Sequence, residues 1–96
     1  MKTREEILRL LRQDKPALQS RFKVRHLALF GSYARGDQSR NSDVDILVDV
    51  DPSIGLDFVS LAEDIEKVLG LHVDLVSRRA VKPRHLEVIK KELIDV

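Results

Sequence analysis

The sequence predicts a small α/β domain in which helices pack on a β-sheet. Apolar residues recur at every second position from Val44 to Val50, the period of a strand. Segments with helical spacing of apolar residues precede and follow this strand, so helices and strands alternate along the chain. The chain has 96 residues, enough for one domain, and no repeat or long linker divides residues 1–96.

The first half of the chain is predicted to fold as two helices, a strand and a short helix. Thr3 and Glu6 have the spacing of a capping box at the start of a helix. Pro16 predicts a break in that helix and the first turn of a second one. A strand is expected over Val24–Phe30, followed by a turn and a short helix between Gly31 and Gly36.

The second half is predicted to contain a helix, a strand and a final helix. An apolar stripe between Phe58 and Leu69 marks a helix, and Gly70 is placed to cap its C-terminus. A short strand is expected over Leu71–Val76. Pro83 is suited to open the last helix. The inward residues of that helix would be Leu86, Ile89 and Leu93.

The composition excludes several classes of protein. The 17 basic and 16 acidic residues give a net charge of +1, which provides no general attraction to nucleic acid or membranes. The chain lacks cysteine, which excludes disulfides and thiolate metal sites. Its charged N-terminus does not fit a signal peptide, so we expect a cytoplasmic protein. The basic stretch from Arg78 to Lys91 is interpreted as a solvated helix face balanced by Glu87 and Glu92, and the alternative is a docking surface for a partner or an RNA.

Acidic residues are the first candidates for a functional site. Asp43 and Asp45 are two positions apart, so their side chains project on the same face of the strand. Two carboxylates this close repel each other unless a cation lies between them. Asp45 also lies within an apolar strand, where an unpaired carboxylate is costly to bury. Ser42 is expected to hold the preceding loop by a local hydrogen bond.

A third carboxylate is expected to join this pair. Asp74 is the one acidic residue in the predicted strand Leu71–Val76, and adjacent strand pairing would place it beside the other two. Three carboxylate ligands suit Mg²⁺ better than Zn²⁺. Asp49 and Asp51 are excluded as strand-end polar residues, since Asp49 lies about 13 Å farther along the strand than Asp45.

The turn at Gly31 and Ser32 is the candidate phosphate site. Gly31 follows a predicted strand and, having no Cβ, allows the backbone to approach a ligand closely. Ser32 is expected to cap the short helix, whose free N–H groups would favour phosphate oxygens. A phosphate-binding turn that faces a carboxylate pair predicts a site for a nucleoside triphosphate with Mg²⁺.

These motifs resemble the signature of the DNA polymerase β-type nucleotidyltransferase superfamily. The matching residues read GSYARG from Gly31 to Gly36 and SDVDILV from Ser42 to Val48. The chain is most similar to the minimal nucleotidyltransferase branch, the MNT or MntA-like antitoxins. The similarity extends to the leading helix, to VDLV at 73–76 and to AVKP at 80–83. It implies the small nucleotidyltransferase fold, with a mixed sheet, and attack of an acceptor hydroxyl on the α-phosphate of ATP.

The resemblance also implies a role for each candidate residue. Gly31 and Ser32 would hold the β- and γ-phosphates. Asp43 and Asp45 would bind the Mg²⁺ ion on the triphosphate and share a second Mg²⁺ with Asp74. Asp74 would also favour deprotonation of the acceptor, as a metal ligand or general base.

Four other residues lie in or near the motifs. Tyr33 is expected to pack against the core rather than to stack on a base. His26 and His72 could flank the site, although histidines on strands are usually structural. Arg35 could reach phosphate oxygens or could equally be a solvated helix residue.

The acceptor is expected to come from a second protein. The chain ends soon after Asp74 and has no tryptophan to form a platform for a base. The resemblance implies a helical HEPN-type toxin with RNase activity as partner, with AMP added to a tyrosine. The alternative is an antitoxin that blocks its partner by occlusion, without catalysis. Transfer to an RNA end or a small molecule fits the near-zero net charge less well.

Overall fold

The computed structural model describes residues 2–96, and it confirms the predicted α/β architecture. Two 3₁₀ turns, Pro52–Ile54 and Arg78–Ala80, connect the larger elements. These are α1 (Arg4–Phe22), β1 (Val24–Phe30), α2 (Ser32–Arg35), β2 (Val44–Val50), α3 (Asp57–Leu69), β3 (Val73–Ser77), α4 (Pro83–Lys90) and β4 (Ile94–Asp95). None of the helices in this range is long and apolar enough to cross a bilayer.

The four strands form one mixed sheet in the order β3-β2-β1-β4. β1 pairs antiparallel with both β2 and β4, whereas β2 pairs parallel with β3. A parallel pair requires a crossover connection, which α3 supplies. The register places Phe30 opposite Asp45 and Asp45 beside Asp74.

The hydrophobic core lies between one face of the sheet and the helices α1 and α3, which pack against each other. Alternate strand residues point into this core. They are Leu27, Leu29, Val44, Ile46, Val48, Val50 and Val73. The opposite face carries Asp45 and Asp49 and is less covered, because no side chain of α4 is fully buried. The charged candidates therefore lie on the more open face.

Two predicted helix ends are confirmed in detail. Thr3 and Glu6 form a reciprocal capping box, in which the Glu6 N–H donates to Thr3 Oγ1 at 3.2 Å. Gly70 ends α3 in the left-handed conformation, with φ 67°. Its N–H donates to the Glu66 carbonyl at 2.7 Å. Both ends satisfy backbone groups that a helix terminus leaves unpaired.

The predicted break at Pro16 is wrong, because α1 continues through it. Pro16 removes one helical hydrogen bond and its ring crowds the preceding turn. Its side chain is exposed, however, and the buried residues Leu11, Leu18 and Phe22 keep one helical phase across it. Burial of that continuous face outweighs the local cost of proline.

The end of the chain also differs from the prediction. The predicted strand Leu71–Val76 is instead β3, which begins two residues later and includes Ser77. Leu93 lies beyond the end of α4 and precedes β4. The sequence does not predict β4, since its two residues are too few to show a periodic pattern and depend on pairing with β1.

The contact between α1 and α3 places one carboxylate in an unfavourable environment. Asp14 Oδ2 is buried and meets no hydrogen-bond donor within residues 2–96. Burial, followed by the negative charge of Asp64, raises the pKa of Asp14. Arg21 lies 3.2 Å from Asp64 and offsets part of this effect. The ionised carboxylate of Asp14 therefore destabilises the folded state.

Asp14→Asn should raise the melting temperature at pH 7 by about 2–4 °C. This shift corresponds to an increase in the free energy of unfolding on the order of 0.5 kcal/mol, after allowing for solvent screening. The raised pKa means that the folded state binds more protons than the unfolded state just above the ordinary value of 3.8 for this carboxyl. The stability of the wild type should therefore increase as pH falls through this window. The difference in melting temperature between the variant and the wild type should become smaller. Calorimetry between pH 7 and 4, with exposed Glu63→Gln as control, tests this. An advantage independent of pH would contradict it.

Candidate functional site

Asp45 is the structural centre of the candidate site. It lies on β2 between the end of β1 and the start of β3, and neighbouring strands are about 4.8 Å apart. Asp74 is its direct neighbour in the parallel register. Asp43 precedes β2 by one residue and projects toward the same face. The sheet thus brings together the three carboxylates that the sequence singled out.

The three carboxylates form a region of negative charge that is only partly compensated. Burial raises the pKa of Asp45, and the charges of Asp74 and Asp43 raise it further. Arg35 acts in the opposite direction, and Glu92 adds to the repulsion. Asp45 is half-buried, whereas Asp43 and Asp74 are exposed. A cation bound here would relieve repulsion that the protein itself leaves in place.

The chemistry of this donor set fits Mg²⁺, although the side chains are not assembled around an ion. Carboxylate oxygens are the ligands that Mg²⁺ prefers, together with water and phosphate. In the part of the chain described, no group of three His, Cys, Asp or Glu side chains is already placed to hold a metal. Asp43 Oδ1 lies 3.1 Å from His72 Nδ1.

Gly31 packs its backbone directly against Asp45. Its φ of 77° and ψ of −156° fall in a region that is essentially restricted to glycine. A Cβ at this position would lie 2.9 Å from Asp45 Cγ and closer still to Oδ2. The glycine therefore serves two purposes, an unusual backbone conformation and close approach to a carboxylate.

The predicted capping role of Ser32 is wrong. Gly31 is the N-cap of α2, Ser32 is its first helical residue, and no side chain caps the helix. The Gly31 carbonyl accepts the Arg35 N–H at 3.0 Å, which closes the single turn one residue earlier than predicted. The glycine conformation makes this early start accessible.

The short helix α2 is held in place by a buried side chain and by a hydrogen bond from α1. Tyr33 is 1% exposed, which confirms that it is a packing residue. Arg4 Nη1, from the start of α1, donates to the Ala34 carbonyl at 3.0 Å. After the helix, the Ser39 N–H donates to Ser42 Oγ at 2.9 Å, which confirms that Ser42 holds the loop before Asp43. The short helix and the loop before Asp43 are therefore held by separate hydrogen bonds.

Glu92 belongs to the site, and the sequence interpretation of it was wrong. It does not lie on a solvated helix face but in the turn between α4 and β4. Its Oε1 accepts the Gly31 N–H at 3.0 Å, and its Oε2 accepts from Arg35 Nη1 at 2.9 Å. Arg35 also donates through Nε to Asp37 at 3.1 Å, so it is not simply solvated. Glu92 and Gly31 are 61 residues apart, and no local pattern indicates such a contact.

The two histidines differ in position. His72 contacts Asp43 and lies 3.8 Å from Glu66 Oε2. His26 lies opposite Asp49, toward the other end of β2, and so does not flank the three carboxylates. The exclusion of Asp49 on distance is consistent with this register.

An open cavity of about 580 Å³ adjoins Asp74. Its wall is mostly apolar and includes Phe30, Val76 and Ile89, with Lys82 and His85 as polar members. Val88, 62% exposed, also lines this cavity. A group bound here would lie beside a carboxylate and against an apolar surface.

The chain is similar to known nucleotidyltransferases over most of its length. The profile of the nucleotidyltransferase domain family matches residues 11–96. The protein adenylyltransferase MntA of Thermococcus cleftensis is 44% identical over 98 residues, which cover 100% of this chain and 98% of that protein. The matched ranges span the positions of the turn at Gly31 and of all three carboxylates.

Solved structures show the same similarity. A structure described as a minimal nucleotidyltransferase matches with a TM-score of 0.84 and 34% identity, covering 99% of this chain and 97% of the other. A toxin–antitoxin structure with AMP-PNP matches with a TM-score of 0.68 and 31% identity, covering 96% and 70%. The complex of tri-AMPylated Shewanella oneidensis HEPN toxin with MNT antitoxin matches with a TM-score of 0.59 and 26% identity, covering 96% and 66%.

Gly31→Ala should destabilise the protein by about 3 kcal/mol or more, through backbone strain and the clash with Asp45. Gly36→Ala is the matched control, since Gly36 has φ 84° but open space where a Cβ would lie. It should lose only about 1–2 kcal/mol. Adding Asp45→Ala should recover part of the loss of Gly31→Ala but none of that of Gly36→Ala. Urea denaturation measures each step, and strictly additive losses would refute the close contact.

Proposed function

Because this chain belongs to the nucleotidyltransferase domain family, we propose that it transfers AMP from ATP to a hydroxyl of a HEPN-type toxin and thereby acts as an antitoxin. The observation that carries the proposal is the register of β2. It sets Asp45 between the turn at Gly31 and the carboxylate of Asp74. One short stretch of sheet thus offers a place for phosphate beside a place for a cation.

The turn after β1 is the proposed site for the triphosphate. The backbone N–H groups at Gly31 and Ser32 would donate to β- and γ-phosphate oxygens. The absence of a Cβ at Gly31 leaves the backbone accessible on the side that faces Asp45. Arg35, one helical turn away, adds a positive charge that acts on Asp45. A triphosphate held here would direct its α-phosphate toward the carboxylates.

Asp43, Asp45 and Asp74 are the proposed ligands of Mg²⁺, with two ions as the predicted number. Bound Mg²⁺ would neutralise the triphosphate and stabilise the attacking and leaving oxygens. The raised pKa of Asp45 reflects burial together with repulsion from its two neighbours, and a divalent cation relieves that repulsion. His72, in contact with Asp43, would orient that carboxylate.

The proposed reaction is an in-line displacement at phosphorus. The acceptor hydroxyl oxygen forms a bond to the α-phosphorus, and the bond from that phosphorus to the α,β-bridging oxygen breaks. Pyrophosphate leaves, and the hydroxyl proton passes to the carboxylate of Asp74 or to water. Asp74 suits this role because it is exposed and lines the open cavity. Catalysis here depends mainly on position and charge.

The cavity beside Asp74 is the proposed entry for the acceptor tyrosine. Its apolar wall suits an aromatic ring, and its one carboxylate would lie near the hydroxyl. The exposed Val88 at this cavity offers apolar surface to the partner. Residues 1–96 would act as one domain. The toxin would supply the rest of the site that binds the acceptor hydroxyl.

Neutralisation by occlusion alone is the alternative function. A module that only covers its partner gains nothing from three adjacent carboxylates, and Asp45 is desolvated at a cost to stability. Clusters of titratable groups with a shifted pKa are typical of functional sites. The cluster therefore favours the enzyme over the occluding module.

The mass of the partner toxin tests the proposal directly. After co-purification and incubation with Mg-ATP, we expect the intact mass of the toxin to increase by one or more AMP units. Asp45→Asn should lower the rate by at least about 100-fold, because it removes a charge from the proposed Mg²⁺ site. Neutralisation of the toxin in cells should be lost with it.

Asp49→Asn is the matched control for this experiment. It makes the same change on the same strand, at a residue opposite His26 and away from the carboxylate cluster. Its rate should remain within about twofold of wild type. A stable complex whose toxin keeps its mass, and an Asp45→Asn variant that still neutralises, would instead establish occlusion.

A further inference from the structure

We propose that Glu92 is an internal competitor for the triphosphate, occupying the turn at Gly31 until the nucleotide displaces it. The inference rests on the proposed phosphate site and adds a regulatory residue to it. Glu92 reaches the site from the opposite end of the chain, between α4 and β4. Its carboxylate bridges the Gly31 backbone and the Arg35 side chain.

The donors that hold Glu92 are those that proteins use to hold phosphate. A peptide N–H donates to Oε1 at 3.0 Å, and a guanidinium nitrogen donates to Oε2 at 2.9 Å. Both groups bind carboxylate and phosphate oxygens with similar geometry. The carboxylate of Glu92 therefore stands where a phosphate oxygen would be bound. The two anions cannot use the Gly31 N–H together.

The Glu92 side chain is free to leave its contact with Gly31 and Arg35. Its side chain is 24% exposed and that of Arg35 is 47% exposed, so water can replace either partner. Glu92 lies in a turn, and no residue of the adjacent α4 is fully buried. Rotation of the side chain alone breaks both hydrogen bonds. The backbone beyond it stays anchored, with the Val96 N–H donating to the Leu27 carbonyl at 3.0 Å.

Displacement of Glu92 would change the charge of the site in two ways. It would remove a carboxylate that repels Asp45, and it would free one side of the Arg35 guanidinium. The freed donors would then bind the incoming phosphates. After the reaction, the returning carboxylate would compete with pyrophosphate for the same donors. Glu92 thus weakens nucleotide binding and favours release of the product.

Calorimetry on the full chain tests this with α,β-methylene-ATP, whose α,β bond cannot be cleaved, in the presence of Mg²⁺. Glu92→Ala and Glu92→Gln should bind it at least about threefold more tightly than wild type, with a larger gain for pyrophosphate. Glu87→Gln is the matched control, because it also removes one negative charge, at an exposed residue of α4 that lies 3.9 Å from Lys90. Its affinity should match that of wild type.

The Gly31 amide provides a second measurement. Hydrogen exchange at this amide should be faster in Glu92→Ala than in wild type, and nucleotide should slow it in both. Equal or weaker nucleotide affinity in both Glu92 variants would show that the residue is a structural brace and would overturn its role as competitor. Failure of the wild-type chain to bind nucleotide at all would overturn the proposed phosphate site together with this inference.

Discussion

The close packing of the Gly31 backbone against the Asp45 carboxylate is the constraint on which the site depends. It requires glycine at 31, because a side chain would collide with Asp45. It also requires the antiparallel register that sets Phe30 opposite Asp45, since a shift of one residue would turn Asp45 into the core. The parallel register with β3 then adds Asp74 on the other side. The pairings of β2 with β1 and with β3 thus determine where a phosphate and a cation could bind side by side.

The fold separates stability from chemistry by using the two faces of one sheet for different purposes. α1 and α3 bury one face and form the hydrophobic core together with the inward residues of the strands. The other face carries Asp45 and Asp49 and is bordered by the lightly packed C-terminal segment. Charge repulsion is tolerated there because the core does not depend on it. A small domain can hold such a cluster only if its hydrophobic face is nearly complete.

Features that depend on local pattern could be predicted from the sequence. β2, the capping box at Thr3 and the three carboxylates follow from periodicity, spacing and strand adjacency. The errors have two causes. At Pro16 and Ser32, tertiary packing and glycine geometry override local preference. Glu92 and β4 acquire their positions only through contacts with β1 and the turn after it, which no local window contains.

The proposed competition between Glu92 and the nucleotide would let a site rich in carboxylates select a polyanion. Arg35 is shared between Glu92 and Asp37, so little positive charge is free to attract phosphate. Under the proposed function, a ligand would bring its own cation for Asp43, Asp45 and Asp74 and would also displace Glu92. A triphosphate with Mg²⁺ meets both conditions, whereas a single phosphate has fewer oxygens with which to compete. The carboxylates that repel one another in the free protein would thereby make the site selective for a nucleotide that carries Mg²⁺.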